Sequence, residues 1–265
     1  MQKMSIRYFG LVLFFFLGGC LSTEIPPGNV NVVVADLNAE AAHAAWGRVL
    51  ESSVDWRGRI DFKKIARNPD DLYLYVSYVG KVSPKTSPEL FFSLEDQLAH
   101  YINSYNALVM VGIIQNKFPR NFSSSFMRTR FFKHDRFLIG GETISLSEYV
   151  DKIIRPAGDP LIHFALSDMV VSGPELPREP FNGEFLHGQL HQAAGKFINN
   201  PMNVQSIEAE GLLRLSEKFR DYEEDFVNYE NYPSIVSFLN QHLDRKIEGE
   251  VRIEYLPYDW TIKYS

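Results

Sequence analysis

Apolar positions are most regular over residues 94–113, where Leu94, Leu98, Ile102, Tyr105, Val109 and Ile113 recur at three- and four-residue steps. That spacing lays one buried face along a helix. Ser93 stands ahead of it as an N-cap, with Asp96 at the capping-box position as a short-armed version of the usual glutamate. Phe118-Pro119 ends the pattern. Inside the run lie Asn103 and Asn106. Asparagine is a weak helix former because its amide competes for nearby backbone groups, so two of them need a reason. At i and i+3 both can face one neighbour. Either they satisfy buried backbone groups of an adjacent strand, or they line a ligand pocket.

The same reasoning places the other elements. Alanines with Trp46, Val49 and Leu50 form one helical face from Asp36 onward, and Pro69-Asp70-Asp71 opens a helix through Leu74, Val76 and Val79. Gly58 to Phe62 reads as a brief extended piece, and Arg120 to Lys133 as a loop with few structural signals. Phe137 to Ile144 predicts a hairpin turning at Gly140-Gly141. Ser145-Leu146-Ser147-Glu148 is a full capping box starting a helix that runs to Arg155 and stops before Pro156. Leu161 to Leu166 is a nearly unbroken apolar run of strand length. Phe185 to Ile198 is helical, Val204 to Leu215 strand-like around Glu210-Gly211, and helices follow near Phe219–Phe226 and Ser234–Leu243. Val251 to Trp260 alternates and then closes on aromatics. Without an internal repeat or a second linker, the economical reading is one compact α+β domain over 36–265, several helices around a small, mostly antiparallel sheet.

Composition agrees with a folded domain: 265 residues, 45% hydrophobic and 23% charged. A net charge of −6 argues against a nucleic-acid partner. The densest basic run is Arg128, Arg130, Lys133 and Arg136, interleaved with Phe131, Phe132 and Phe137, and so short a run reads as a solvated loop.

The N-terminus changes the picture. Lys3 and Arg7 precede an apolar run, Tyr8 to Leu17, of about ten residues, too short to span a bilayer. It ends Leu17-Gly18-Gly19-Cys20, and Cys20 is the one cysteine in the chain. This resembles the lipobox of bacterial lipoproteins, in which the leader is cut before a cysteine that becomes lipidated; a plain secretory signal or a short anchor is the alternative. The expected organisation is a signal peptide over 1–19, then lipidated Cys20 and a Pro/Gly-bearing tether over 20–35. Leu21-Ser22 lacks the aspartate of inner-membrane retention, which by resemblance places the chain at the outer membrane, facing the periplasm. Losing Lys3 and Arg7 with the leader takes the formal charge from −6 to −8. The folded domain then holds no thiol, which excludes a cysteine nucleophile, a thiolate metal site and a disulfide.

Several segments together resemble the domain of unknown function 547 family. Ala99-His100-Tyr101-Ile102-Asn103-Ser104-Tyr105-Asn106-Ala107-Leu108 is similar to its A-F-W-I-N-x-Y-N-A-L core. Ser145-Leu146 with Ile154-Arg155, Asp159 to Leu166, Leu213 to Ser216, and Tyr258-Asp259-Trp260 resemble its later motifs in order. The resemblance spans roughly Trp46 to Trp260 and implies a compact α+β domain, frequent in secreted or lipid-anchored bacterial proteins, with no assigned reaction and no cofactor. Departures matter more. Where the resemblance places cysteines after H-F-A-L and within S-C-P, the chain has Asp168 and Gly173, and Tyr149-Val150-Asp151 replaces an I-E-H. A cysteine, a histidine and an acid are the parts of a thiol nucleophile with its base. Their joint loss favours a binding or structural descendant over an enzyme of that mechanism.

The remaining candidates are few. His163, in an apolar run, is either a hydrogen-bonded core residue or, with Asp168, an acid/base pair. Arg155 either caps helix carbonyls, pairs with an acid such as Asp159 or Asp168, or binds an anionic ligand. His187 and His191 have metal-ligand spacing, with Glu184 one turn earlier, but no HExxH glutamate lies between them. Ser172 lacks a G-x-S-x-G elbow. Two functions therefore stand: a membrane-anchored domain binding an envelope protein or small ligand, or a hydrolase or transferase acting on envelope material. The second requires Asn103, Asn106, Arg155, His163 and Asp168 to converge on one solvent-reachable pocket.

Overall fold

A computed structural model describes residues 24–25, 38–117, 122, 124–157, 159–228 and 232–265. Cys20, the leader and all of the tether except Glu24–Ile25 lie outside the described residues, as does Phe118-Pro119. The fold is α+β. Helices α1 (Ala39–Ser53), α2 (Phe62–Arg67), α3 (Asp70–Lys81) and α4 (Leu94–Gln115) form its first half. Two three-stranded sheets follow. In the first, β1 (Glu24–Ile25) runs parallel to β2 (Arg136–Ile139), which pairs antiparallel with β3 (Glu142–Ile144). In the second, β4 (Val204–Ile207) is antiparallel to β5 (Leu212–Ser216), which is parallel to β6 (Arg252–Leu256). The sheet is thus two mixed pieces, and part of the expected tether is a strand. Among the described residues, no helix is long and apolar enough to cross a membrane.

Helix α4 is the axis of the core. Its Ser93 cap is present, the hydroxyl accepting from the Asp96 N–H at 3.0 Å. Burial extends round nearly the whole circumference from Leu98 to Ile113, rather than along one stripe, whereas Leu94 is exposed. Helix α3 packs beside it and α1 against α3, Trp46 stacking on Tyr75 at 5.5 Å. Gly112 lets the far end of α4 approach the phenylalanines: a Cβ there would meet the Phe131 ring at 2.8 Å and Phe137 at 3.2 Å.

Turn chemistry explains the middle of the chain. Gly140 and Gly141, with φ of 53° and 81°, supply the left-handed pair that a tight hairpin needs. The Ser145–Glu148 capping box is closed in both directions and starts α6 (Leu146–Tyr149), which continues as a π turn over Val150–Ile154 and a 3-10 turn over Arg155–Ala157. The segment read as a featureless loop instead contains α5 (Ser125–Thr129) running into a second π turn, Arg130–His134. The His163 run is a 3-10 helix, Pro160–Phe164, not a strand. Pro160 has no N–H for a ladder, and Asp159 caps the turn by accepting from the Leu161 N–H at 2.8 Å. Helices α7 (Leu186–Ile198), α8 (Glu217–Asp221), α9 (Glu223–Asn228) and α10 (Ile235–His242) complete the fold. Phe164, Phe197, Phe219, Phe226 and Phe238 join the His163 turn to these four helices through ring contacts of 4.8–6.3 Å.

One core position departs from an apolar design. His100, where the family core carries phenylalanine, is buried between Phe91, Tyr78 and Tyr101, and its Nδ1 has no hydrogen-bond partner. Burial, helped by nearby His43, lowers its pKa to about 3. Between pH 3 and 6.5 the native ring therefore binds fewer protons than the unfolded one, so stability rises with pH across that window and is complete above it. At pH 5.0 this one group costs about 2 kcal/mol relative to neutral pH. His100→Phe should remove that component, so that urea midpoints at pH 7.0 and 5.0 differ less than in the native chain. Equal losses in both chains would rule His100 out as the cause.

Candidate functional site

The two asparagines act as substitute backbone. Asn103 donates to the Phe181 carbonyl at 2.8 Å and accepts from the Phe181 N–H at 3.0 Å and the Trp46 indole at 3.2 Å. Asn106 donates to the Ala165 carbonyl at 3.0 Å and accepts from the Ser167 N–H at 2.9 Å. At 3% and 1% exposure, both amides are fully engaged in the core, on loops rather than on a strand. Neither lines the cleft described below. Their effect is to fix the chain just before Asp168 and again ahead of α7.

From that fixed point Asp168 enters a cleft of about 490 Å³. Met169 follows with φ of +58°, a left-handed turn uncommon for a long side chain, and Ser167 steadies it by accepting from the Met169 N–H while donating to the Pro174 carbonyl. The carboxylate accepts from the Tyr105 hydroxyl at 3.1 Å and the Tyr258 hydroxyl at 2.8 Å, with Lys218 Nζ at 3.7 Å. Burial first, then the adjacent carboxylate, raises both tyrosine pKa values well above the ordinary range, so both remain donors. Tyr258 arrives on a C-terminal strap: Val171 N–H donates to the Thr261 carbonyl and Asp259 N–H to the Ser172 hydroxyl, each at 2.8 Å. Ser172 is therefore a strap residue. A Cβ at Gly173 would lie 3.4 Å from the Tyr258 hydroxyl. The two positions where the resemblance expects cysteine thus meet at Tyr258.

The two π turns form facing walls, a recurring feature near functional sites. Phe132 and Lys133 come from one, with Arg128 and Thr129 from α5 before it, and Ser147, Val150, Asp151 and Arg155 from the region of the other; Glu217, Lys218, Asp221, Tyr222 and Trp260 complete the lining. Arg128 lies 4.9 Å over the Trp260 ring and donates to the Phe122 carbonyl. Four cations and four acids line the cleft.

Arg155 pairs with neither Asp159 nor Asp168. It grips Asp225 with Nε and Nη2, both at 2.8 Å, and reaches Asp151 at 3.1 Å. His163 donates Nε2–H to the same Asp225 at 2.7 Å and stacks on Tyr222 at 4.0 Å. Burial lowers the His163 pKa, so this contact is a neutral imidazole on a carboxylate rather than an ion pair. Asp225 is held well below the usual carboxylate range by His163 and then Arg155. His163 is 1% exposed and does not line the cleft; it supports the back of Tyr222. Of the five residues required to converge, Arg155 and Asp168 line the cleft, while Asn103, Asn106 and His163 do not.

His187 and His191 approach at 4.3 Å between ring centres, with His242 at 5.4 Å from His191. Among the described residues, no group of three or more histidine, aspartate, glutamate or cysteine side chains, Glu184 included, is placed to hold a metal ion.

A compact α+β domain with a polar, aromatic-rimmed cleft is what fold and site define. Residues 91–198, about two fifths of the chain, match the family described as Protein of unknown function, DUF547. Neither a curated protein nor a solved structure matches the chain.

The Asp225 junction ties α9 to the two 3-10 turns that carry Arg155 and His163. Asp225→Asn should lower stability by about 2 kcal/mol, since charge-assisted hydrogen bonds from Arg155 and His163 weaken together. Urea denaturation at pH 7 measures it; a loss below about 0.5 kcal/mol, the range of ordinary surface changes, would contradict the assigned role.

Proposed function

We propose that this chain is a lipid-anchored protein of the bacterial cell envelope, attached through Cys20, whose domain binds a polar ligand in the Asp168 cleft without turning it over. The observation carrying the reading is the state of Asp168. Its oxygens are occupied by two tyrosine donors, with a lysine at 3.7 Å. Both oxygens are thus committed to donors of the protein itself, and among the described residues no thiol stands beside them. Balanced charges and the Trp260, Tyr222 and Phe132 rings suit a sugar or a short zwitterionic peptide better than a polyanion. A hydrolase or transferase using His163 with Asp168 has less support, because the histidine is sealed behind Tyr222.

Titrating the full chain with disaccharide-peptide fragments of the cell wall, while following Trp260 emission against a Trp260→Phe control, should give saturable binding. Tyr258→Phe, which removes one of the groups orienting Asp168, should weaken it about tenfold, the equivalent of one hydrogen bond of about 1.4 kcal/mol. Mass spectra of the fragments should be unchanged after long incubation. A product that accumulates with the native chain and disappears with Asp168→Asn would overturn the non-catalytic reading.

A further inference from the structure

The segment 124–136, read from sequence as a solvated basic loop, has an organisation that the cleft does not explain. Phe126 and Met127 are 76% and 43% exposed on α5. Arg130, half-exposed, and Lys133 project from the π turn that follows, and the whole segment carries four cations against Asp135 alone. Exposed apolar side chains on a short helix, bordered by arginine and lysine, suit the boundary between acyl chains and anionic headgroups.

Chain connectivity supplies the second, independent observation. The segment ends at Arg136, the first residue of β2, and Arg136 is the register partner of Glu24 in β1. Only Leu21, Ser22 and Thr23 separate Glu24 from Cys20. Four fully extended steps span at most about 14 Å. A lipid on Cys20 therefore holds this edge of the first sheet within about that distance of the bilayer surface, and α5 reaches the same edge through the π turn that joins it to β2.

We infer that residues 125–133 form a membrane-docking surface: Phe126 and Met127 enter the interface of an anionic bilayer while Arg130 and Lys133 sit at its headgroups. The inference rests on the proposed lipidation of Cys20 for proximity, and on exposure and charge for the surface itself. Docking there brings the cleft wall carrying Thr129 and Phe132 down to the membrane and sets the direction in which the cleft opens.

The test uses the full chain reconstituted into vesicles of 70% phosphatidylcholine and 30% phosphatidylglycerol, with an environment-sensitive fluorophore on Ser125→Cys or, as a distant control, on Met202→Cys. Lipidation consumes the Cys20 thiol, so the label attaches at the introduced cysteine, and a Cys20→Ser version added to the same vesicles repeats the measurement without the lipid. Quenching by spin-labelled lipid should be at least about threefold stronger at 125 than at 202, and Phe126→Ser with Arg130→Gln should abolish the difference. Pure phosphatidylcholine should reduce the signal about fivefold for each cation engaged. Equal quenching at the two sites, or a difference indifferent to the double substitution, overturns the docking surface. The mass of the N-terminal peptide from the native chain reports lipidation separately: an unmodified Cys20 with quenching still concentrated at 125 removes the lipid anchor and leaves the docking surface standing.

Discussion

Two side-chain amides on α4 carry the constraint on which the rest of the structure depends. Asn103 and Asn106 each present a carbonyl and an amino group to main chain 59 to 78 residues away, completing hydrogen bonds that no strand or helix supplies. Buried peptide groups left without partners cost about 1–3 kcal/mol apiece, so irregular chain crosses this core only where such partners exist. The 3-10 turn and the loop leading into α7 are irregular in that sense. The helix therefore acts as a template, and its low intrinsic suitability for asparagine is offset by the backbone it organises.

That template sets the chemistry of the cleft. Fixing Ser167 fixes the turn through Met169, and the turn aims Asp168 at two hydroxyls delivered from opposite ends of the chain, Tyr105 on α4 itself and Tyr258 on the terminal strap. A thiol at position 168 would have occupied the same place, among tyrosines, Lys218 and Arg155. In this chain the place holds a carboxylate whose hydrogen bonds are directed inward, and the groups left facing the opening are aromatic rims and balanced charges. His163 and Arg155, read as candidate catalytic parts, meet Asp225 in a junction beside Tyr222 instead, apart from Asp168.

Much of this was legible in the sequence, and the failures have physical causes. Periodicity and caps located α1, α3, α4 and α6 because their apolar faces and terminal side chains act locally, and Gly140-Gly141 marked its hairpin through the φ values it alone permits. The His163 run misled because burial looks alike in a strand and a 3-10 turn; Asp159-Pro160 was the signal for the latter. Helix α5 has too few residues to show a period, and its serines read as loop. Strand β1 is two residues in a proline-bearing stretch, paired with a partner more than a hundred residues on. The Arg155–Asp225 grip spans 70 residues and leaves no pattern in either segment. Among cleft residues, Tyr105 sat inside the recognised motif and Tyr258 with Trp260 in the terminal one, whereas Lys218 and Tyr222 carried no signal beyond their helical spacing.

The template role of α4 is tested most directly by Asn106→Ala, with stability from urea denaturation and protection of the Ser167 amide from hydrogen exchange read on the same protein. Loss of about 2–4 kcal/mol, together with an exposed Ser167 amide, is the predicted result, since one donor and one acceptor lose their buried partner. A variant within about 0.5 kcal/mol of the native chain, with Ser167 still protected, would show that the segment carrying Asp168 is held by something other than the α4 amide.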